Sequence, residues 1–383
     1  MNAPLVPLVP RAVHVSSDFW RGARRILCVR LDAMGDVLMT TPAFRALKES
    51  GVAGKQLTLL TSTSGAAIVP YVPELEDCLV YSAPWMKHES AAHQRQMQAL
   101  VETLRTRRFD AAVIFTVYSQ SALPAALLCW QAGIPLRLAH ARENPYHLLS
   151  DWEPEIEPHT RVRHEARRQL DLVASIGCET ANEKLSFRLK RSEIEQTLSK
   201  LNALGVDLQR PWIVVHPGAT AASRRYPPEH FHAVVQSLIR ETGHQVLVTG
   251  GEDEAALVHR VAGNHNGAWP LAGMFSLGEL AALIADAKLV IANNTGPAHL
   301  AAALGTPVVD LYALTNPQHR PWQVPQRVLY TDVPCRFCYR SVCEQGHHQC
   351  LRGVAPAQVC AAAQELLHDI APHTQPDFLL PQD

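Results

Sequence analysis

Apolar residues in this chain come in short bursts, each followed by a polar loop and then by a segment with helical spacing. ILCVRL at 26–31 has strand character, and it runs through DAMGD into the helical VLMTTPAFRALKES. LTLLTS and CLVYS follow as strands. SAAHQRQMQALVETLRTRRFD then spaces its apolar residues as a helix and leads into the strand AAVIFTV. SALPAALLCWQAG reads as a helix, PLRLAH as a strand and HEARRQLDLVASIG as an amphipathic helix. Between 186 and 210, FRLKRSEIEQTLSKLNALGVDLQR loosens into a charged connecting region. A second alternation then starts, with strands WIVVHPG, QVLVTGG, KLVIANN and PVVDLYALTNP and helices PPEHFHAVVQSLIRETG, EDEAALVHRVAG, SLGELAALIADA and GPAHLAAALG.

Strands that alternate with helices argue for parallel sheets covered on both faces. The expected fold is therefore α/β, with two doubly wound domains separated near residue 208. The expected boundaries are an N-terminal extension over 1–25, a first domain over 26–207, a second over 208–370 and a Pro- and polar-rich tail over 371–383.

In open parallel sheets, ligands bind outside the carboxyl ends of the strands. One polar loop, LDAMGD, falls at such an end in the first half. Four fall there in the second: HPGATAASRRYP, TGGEDE, ANNTGP and ALTNP. This predicts a cleft between the sheets, with most of a ligand on the C-terminal half.

In the first loop, Gly35 permits a tight strand-to-helix turn. Asp36 is either a helix N-cap or a carboxylate available as a general base. Asp32 either caps the helix or orients the loop. In HPGATAASRRYP, backbone amides with Thr220, Ser223, Arg224 and Arg225 can wrap a phosphate; a solvated loop before a helix is the alternative. In ANNTGPAHLAAALG, Asn294 and Thr295 end a buried strand, and Gly296 lets the backbone approach a ligand. Pro297 suits a first helical turn. A free helix N-terminus carries roughly half a positive charge and favours an anion such as a diphosphate. His299 faces either that ligand or the core. Glu252 after two glycines can accept hydrogen bonds from ribose hydroxyls or simply cap a surface helix. Thr315 and Asn316 complete the rim, and the surroundings of Met274 offer apolar contact to a base.

Composition narrows the class. The chain has 383 residues, 47% of them apolar, and a formal net charge of -1, so no strongly basic field recruits nucleic acid. Arg21, Arg24 and Arg25 read as a solvated flank. The N-terminal MNAPLVPLVPRAVHV is broken by prolines and lacks a basic n-region, so no signal peptide is expected, and no apolar window is long enough to span a membrane. A cytoplasmic protein follows, with peripheral contact at a membrane left open. No Gly-x-Gly-x-x-Gly or Walker lysine loop is present, which argues against dehydrogenase and kinase readings. No Asp-x-Asp pair lies near the loops, so no Mg²⁺ site is expected there.

Four of the nine cysteines, Cys28, Cys78, Cys129 and Cys178, are scattered and read as reduced thiols. PCRFCYRSVCEQGHHQC instead spaces Cys335, Cys338, Cys343 and Cys350 as x2, x4 and x6, with His347 and His348 between. A structural zinc, reduced thiols under a loop and a redox-sensitive pair are the readings open to it.

LDAMGDVLMTTPAFRALK, HPGATAASRRYPPEHF, VTGGEDE and ANNTGPAHLAAALGTPVVDLYALTNP, in that order and spacing, resemble glycosyltransferase family 9, the ADP-heptose:lipopolysaccharide heptosyltransferases. The resemblance runs from about 26 to about 365. It implies a GT-B fold, in which two Rossmann-like domains face a central cleft, and inverting transfer without a metal. It places acceptor binding on the first domain, with Asp36 as the base and Asp32 and Gly35 beside it. It places a nucleotide sugar, ADP-linked in the family, on the second, at Thr220, Ser223, Arg224, Glu252, Met274, Asn294, Thr295, Gly296 and His299. The implied acceptor is a lipopolysaccharide or other surface glycan. Two positions differ from the family pattern: Arg224 stands where members usually carry Lys, and Asn294 where many carry Asp. A sugar-nucleotide epimerase on the same fold, or a non-catalytic sugar-nucleotide binder, remains the alternative.

Overall fold

The computed structural model describes residues 15–86 and 94–369. The first residues of the helix expected from 90, the N-terminal 14 residues and the tail from 370 lie outside them. The chain divides into two compact units between Arg188 and Leu189.

The first unit carries β1 (Arg25–Arg30), β2 (Gln56–Thr61), β3 (Asp77–Val80), β4 (Ala111–Ile114), β5 (Leu136–Ala141) and β6 (Asp151–Pro154). They form one parallel sheet in the order β3-β2-β1-β4-β5-β6. The second unit carries β7 (Trp212–His216), β8 (Gln245–Gly250), β9 (Ala268–Ala272), β10 (Leu289–Asn293), β11 (Val308–Leu311) and β12 (Gln326–Leu329). Their order, β12-β11-β10-β7-β8-β9, is the same topology repeated, again all parallel. Each sheet therefore reverses its strand order once, between β1 and β4 and between β7 and β10. That reversal is where doubly wound sheets bind ligands.

Central strands are covered on both faces, which explains their unbroken apolar runs. Val290 and Ile291 of β10 are fully buried, and Ile291 lies opposite Val215 of β7 and Val309 of β11. Each such side chain contributes roughly 1.5–3 kcal/mol of burial. The three strands absent from the sequence reading, β6, β9 and β12, are all edge strands or their equivalents, reading DWEP, AWPLA and QRVL. An edge strand needs no continuous apolar run and tolerates Pro154 and Pro270.

Two segments are more ordered than the pattern suggested. The flank before β1 forms a helix, Ser17–Gly22, that buries Trp20 completely, and Lys55 donates to the Trp20 carbonyl at 3.4 Å. Arg21, Arg24 and Arg25 are exposed, as a solvated flank should be. The expected connecting region is the helix Arg191–Ala203 and belongs to the second unit. Thr197 and Leu201, four apart, give it a narrow buried stripe. Thr197 Oγ1 donates to the Glu279 carbonyl at 3.1 Å, and Lys200 Nζ lies 2.6 Å from Glu279 Oε1. Its high charge covers the three exposed sides and hides that stripe in the sequence. No described helix is long and apolar enough to cross a membrane.

Candidate active site

In the first unit, β1 ends at the strand reversal and Asp32 follows it. The helix Met34–Glu49 then begins with Ala33 as N-cap, and no side chain caps it. Asp36 is thus not the cap; it is the third helical residue, in the first turn, where the helix field favours a carboxylate. Gly35 lies inside the same turn rather than in a separate tight turn. Asp36 Oδ1 lies 3.3 Å from the guanidinium NH2 of Arg30, and its side chain is one-fifth exposed. Asp32 is held from two directions: Arg30 Nε lies 2.9 Å from Oδ2, and Gln120 Nε2 donates to Oδ1 at 2.5 Å. Burial pushes its carboxyl up to about 6; Arg30 pulls against that and Asp36 adds to it. Asp32 and Gln120 also line a cavity of ≈ 260 Å³, with Trp85, Phe115, Thr116 and Ser119 on its walls.

In the second unit, the loop after β7 and the end of β10 are tied by one residue. Asn293 is fully buried; its Nδ2 donates to the Pro217 carbonyl at 2.7 Å, and its Oδ1 accepts from Tyr226 N–H at 3.0 Å. The next residue turns the other way, as strand alternation requires. Asn294 Nδ2 donates to Asp310 Oδ2 at 3.1 Å and to the His319 carbonyl at 2.6 Å. Asp310 is fully buried, and burial pushes it up to about 7, against the pull of Asn294, Arg320 and Arg224.

Thr295 is the N-cap of the helix Gly296–Leu304, but no side chain caps that helix, and its Oγ1 turns back to the Asn293 carbonyl. The positive end of the helix therefore lies beside the reversal point without a cap from the Thr295 hydroxyl. His299 is buried. Arg224 is half-buried, and its charge reaches Asp310 and Tyr312. Ser223 is turned inward: its N–H bonds the Ser341 carbonyl at 3.0 Å and its Oγ the Arg340 carbonyl at 2.7 Å. Its hydroxyl is thus engaged within the protein, whereas Thr220 is exposed.

After β8, Glu252 is exposed and Glu254 turns in. Glu254 Oε2 accepts from Gly251 N–H at 2.9 Å and lies 4.0 Å from His216 Nε2. A Cβ on Gly218 would run into the Glu254 carboxylate, so a larger residue there has to displace that side chain. Burial lowers His216, against the pull of Glu254. The loop after β9 reaches the same edge: Gly273 N–H bonds the Gly250 carbonyl at 2.9 Å, and Met274, beside it, is partly exposed. Glu252 and Met274 are thereby brought onto neighbouring loops.

All nine cysteines are free thiols. Cys335, Cys338, Cys343 and Cys350 line one cavity with His347 and His348, and Cys335 Sγ is 3.7 Å from His347 Nε2. Among the described residues no group of three or more His, Cys, Asp or Glu side chains is arranged to hold a metal ion. The segment does make backbone bonds to the site loops. Phe337 N–H bonds the Leu314 carbonyl and Tyr339 N–H that of Thr315, in addition to the two bonds to Ser223. Thr315 and Asn316 are buried within that loop and bonded to each other.

Pattern reading missed Arg30, Glu165, Asn293, Glu254 and Asp310. Arg30 and Asp310 sit inside apolar strands, where a lone charge was available as a signal. Asn293 was masked by its neighbour, and Glu165 by an ordinary amphipathic helix.

Two doubly wound units, with polar loops gathered at both strand reversals, define the α/β architecture of GT-B glycosyltransferases. Residues 97–349, more than half of the chain, match the model of "Glycosyltransferase family 9 (heptosyltransferase)", and the chain belongs to that family of glycosyltransferases. It is 25% identical over 361 residues to lipopolysaccharide heptosyltransferase 2 of Escherichia coli K12, covering 90% of this chain and 98% of that one. Its fold is similar to that of a family 9 glycosyl transferase from Veillonella parvula, with a TM-score of 0.75 at 21% identity, covering 94% of this chain and 100% of that one. It is also similar to the E. coli ADP-heptose lps heptosyltransferase II, with a TM-score of 0.70 at 22% identity, covering 90% and 99%.

Proposed function

We propose that this enzyme transfers a heptose or related sugar from an ADP-linked donor to a lipopolysaccharide or similar surface-glycan acceptor, with inversion and without a catalytic metal. The observation that carries the donor half is the N-terminus of the helix Gly296–Leu304, uncapped by Thr295, at the strand reversal, with Arg224 in the adjoining loop. A helix N-terminus and a guanidinium are the groups a diphosphate needs, and they supply the charge stabilisation otherwise taken from Mg²⁺. Exposed Glu252 suits the ribose hydroxyls, and the Met274 loop suits the base.

Asp36 is the proposed base on the acceptor side. It removes the proton of an acceptor hydroxyl as that oxygen bonds to the anomeric carbon. The bond from that carbon to the diphosphate breaks with its electron pair, and ADP leaves through an oxocarbenium-like transition state. A glycolipid acceptor would bring the enzyme to a membrane surface as a peripheral protein. The Cys-rich segment is assigned to bracing the donor loops and takes no part in transfer.

A thermal-shift series with ADP, UDP, GDP and CMP tests the donor site. ADP should stabilise wild type and Asp36→Ala alike and Arg224→Ala less. If no nucleotide raises the melting temperature of the wild type, the donor assignment is wrong.

A further inference from the structure

Arg30 is the last residue of β1 and is fully buried. Each nitrogen of its guanidinium meets a different carboxylate. Nε lies 2.9 Å from Asp32 Oδ2, NH2 lies 3.3 Å from Asp36 Oδ1, and NH1 donates to Glu165 Oε1 at 2.8 Å. Glu165 opens the helix Glu165–Ala174 and is itself fully buried. Its Oε1 also accepts from Gln169 Nε2 at 2.6 Å, and Gln169 bonds the Thr116 carbonyl just past β4 at 3.0 Å. The guanidinium is thus fixed from both strands of the reversal.

Fold stability does not explain this arrangement. A buried ion cluster is commonly no more stable than apolar residues of similar volume. Yet the two carboxylates anchored on it flank the start of the helix that carries the proposed base.

We propose that Arg30 is the positioning residue of the acceptor site: it holds Asp32 in place and aims Asp36, while Glu165 fixes the plane of the guanidinium. This rests on the reading of Asp36 as the base. The charged groups facing Arg30 are Asp32 from the loop after β1, Asp36 from the helix Met34–Glu49 and Glu165 from the helix Glu165–Ala174. Arg168 on that last helix is turned to Glu155 and to the Thr116 carbonyl, and His164 caps the helix through Ala166 N–H. Burial pushes Asp32 up to about 6, with Arg30 pulling against it and Asp36 adding to it.

The test is the pH dependence of kcat/KM for wild type, Arg30→Gln, Arg30→Lys and Glu165→Gln, with Asp36→Asn in the same series. Arg30→Gln removes the cation, so the acid limb moves to higher pH by about one unit or more. Glu165→Gln removes a competing anion, so the acid limb moves to lower pH. A merely structural role cannot produce shifts of opposite sign. Arg30→Gln should also lower kcat by roughly 10²-fold with the donor KM nearly unchanged, because the loss falls on proton transfer. Arg30→Lys keeps the charge without the three-way fork and should restore the limb but only part of kcat. Glu165→Gln, close to isosteric, serves if Arg30→Gln does not fold. The proposal is overturned if Arg30→Lys keeps the full wild-type kcat and Glu165→Gln keeps the wild-type acid limb while Asp36→Asn is inactive. An active Asp36→Asn would instead overturn the reading on which the proposal rests.

Discussion

The surroundings of Asn294 show what an Asp in its place would do. The Asn294 amide is 3.1 Å from Asp310 Oδ2 and 2.6 Å from the His319 carbonyl, in a site with almost no exposure. Asn294→Asp replaces both donors with an acceptor. Two ionised carboxylates at that separation repel by about 5 kcal/mol in an effective dielectric near 20. The pair escapes most of that by keeping a proton, which Asp310, already pushed up to about 7, is poised to hold. Each buried acceptor left without its donor adds about 1–3 kcal/mol. We expect a net loss of ~3 kcal/mol, or about 6–12 °C in melting temperature for a unit of this size. The loss should be larger near pH 8 than near pH 5, since the retained proton is harder to keep. The assay is thermal unfolding of wild type, Asn294→Asp, Asp310→Asn and the double exchange at both pH values. The double variant rebuilds an amide–carboxylate pair and should recover at least half of the loss, with the His319 carbonyl still facing a carboxylate. A single variant within about 1 kcal/mol of wild type at both pH values, or a double variant no better than the single, would refute the reasoning.

Four further outcomes follow. Gly218→Ala drives a Cβ into the Glu254 carboxylate, and should weaken ADP binding and lower the melting temperature; Glu254→Ala in the same chain should relieve much of the clash. Asn293→Ala leaves the Pro217 carbonyl and the Tyr226 N–H without their partner and should cost roughly 2–3 kcal/mol in denaturant unfolding. Arg224→Ala should weaken ADP about 10–100-fold by calorimetry and Arg224→Lys by less, because Lys keeps the charge without the fork. For pH, the sign follows from burial. Asp310 rises from 3.8 to about 7 in the fold, so between those values the native state holds a proton that the unfolded chain has lost. Stability should therefore fall as pH rises through that window, and Asp310→Asn should flatten the slope in urea titrations.

Much of this molecule was legible in its sequence for a simple reason: doubly wound sheets bury their central strands on both faces and expose loops at one edge. β1, β2, β4, β7, β8, β10 and β11 therefore announced themselves as apolar runs, and their loops as the polar breaks after them. β6, β9 and β12 did not, because an edge strand such as AWPLA carries no such run. The helix Arg191–Ala203 was hidden by its charge, although Thr197 and Leu201 were enough to dock it. At the strand-end loops, the candidate residues Arg224, Glu252 and Asp36 were visible by type. Residues that hold them were not. Arg30 reads as one charge in ILCVRL, and only folding brings Glu165 to it across 135 positions. Asn293 and Asn294 look interchangeable in sequence, yet the strand sends one to the loop after β7 and the other to Asp310.

The central claim is that Asp36 drives sugar transfer from an ADP-linked donor held by the second unit. The most direct measurement incubates wild type and Asp36→Asn with ADP-heptose and a heptose-deficient lipopolysaccharide, and follows both ADP release and the mass of the acceptor. The account predicts one ADP released per sugar gained by the acceptor with wild type. It predicts no gain with Asp36→Asn, although both proteins bind ADP with equal affinity. An acceptor that gains sugar equally with both proteins, or a wild type that neither binds ADP nor extends any acceptor, would contradict it.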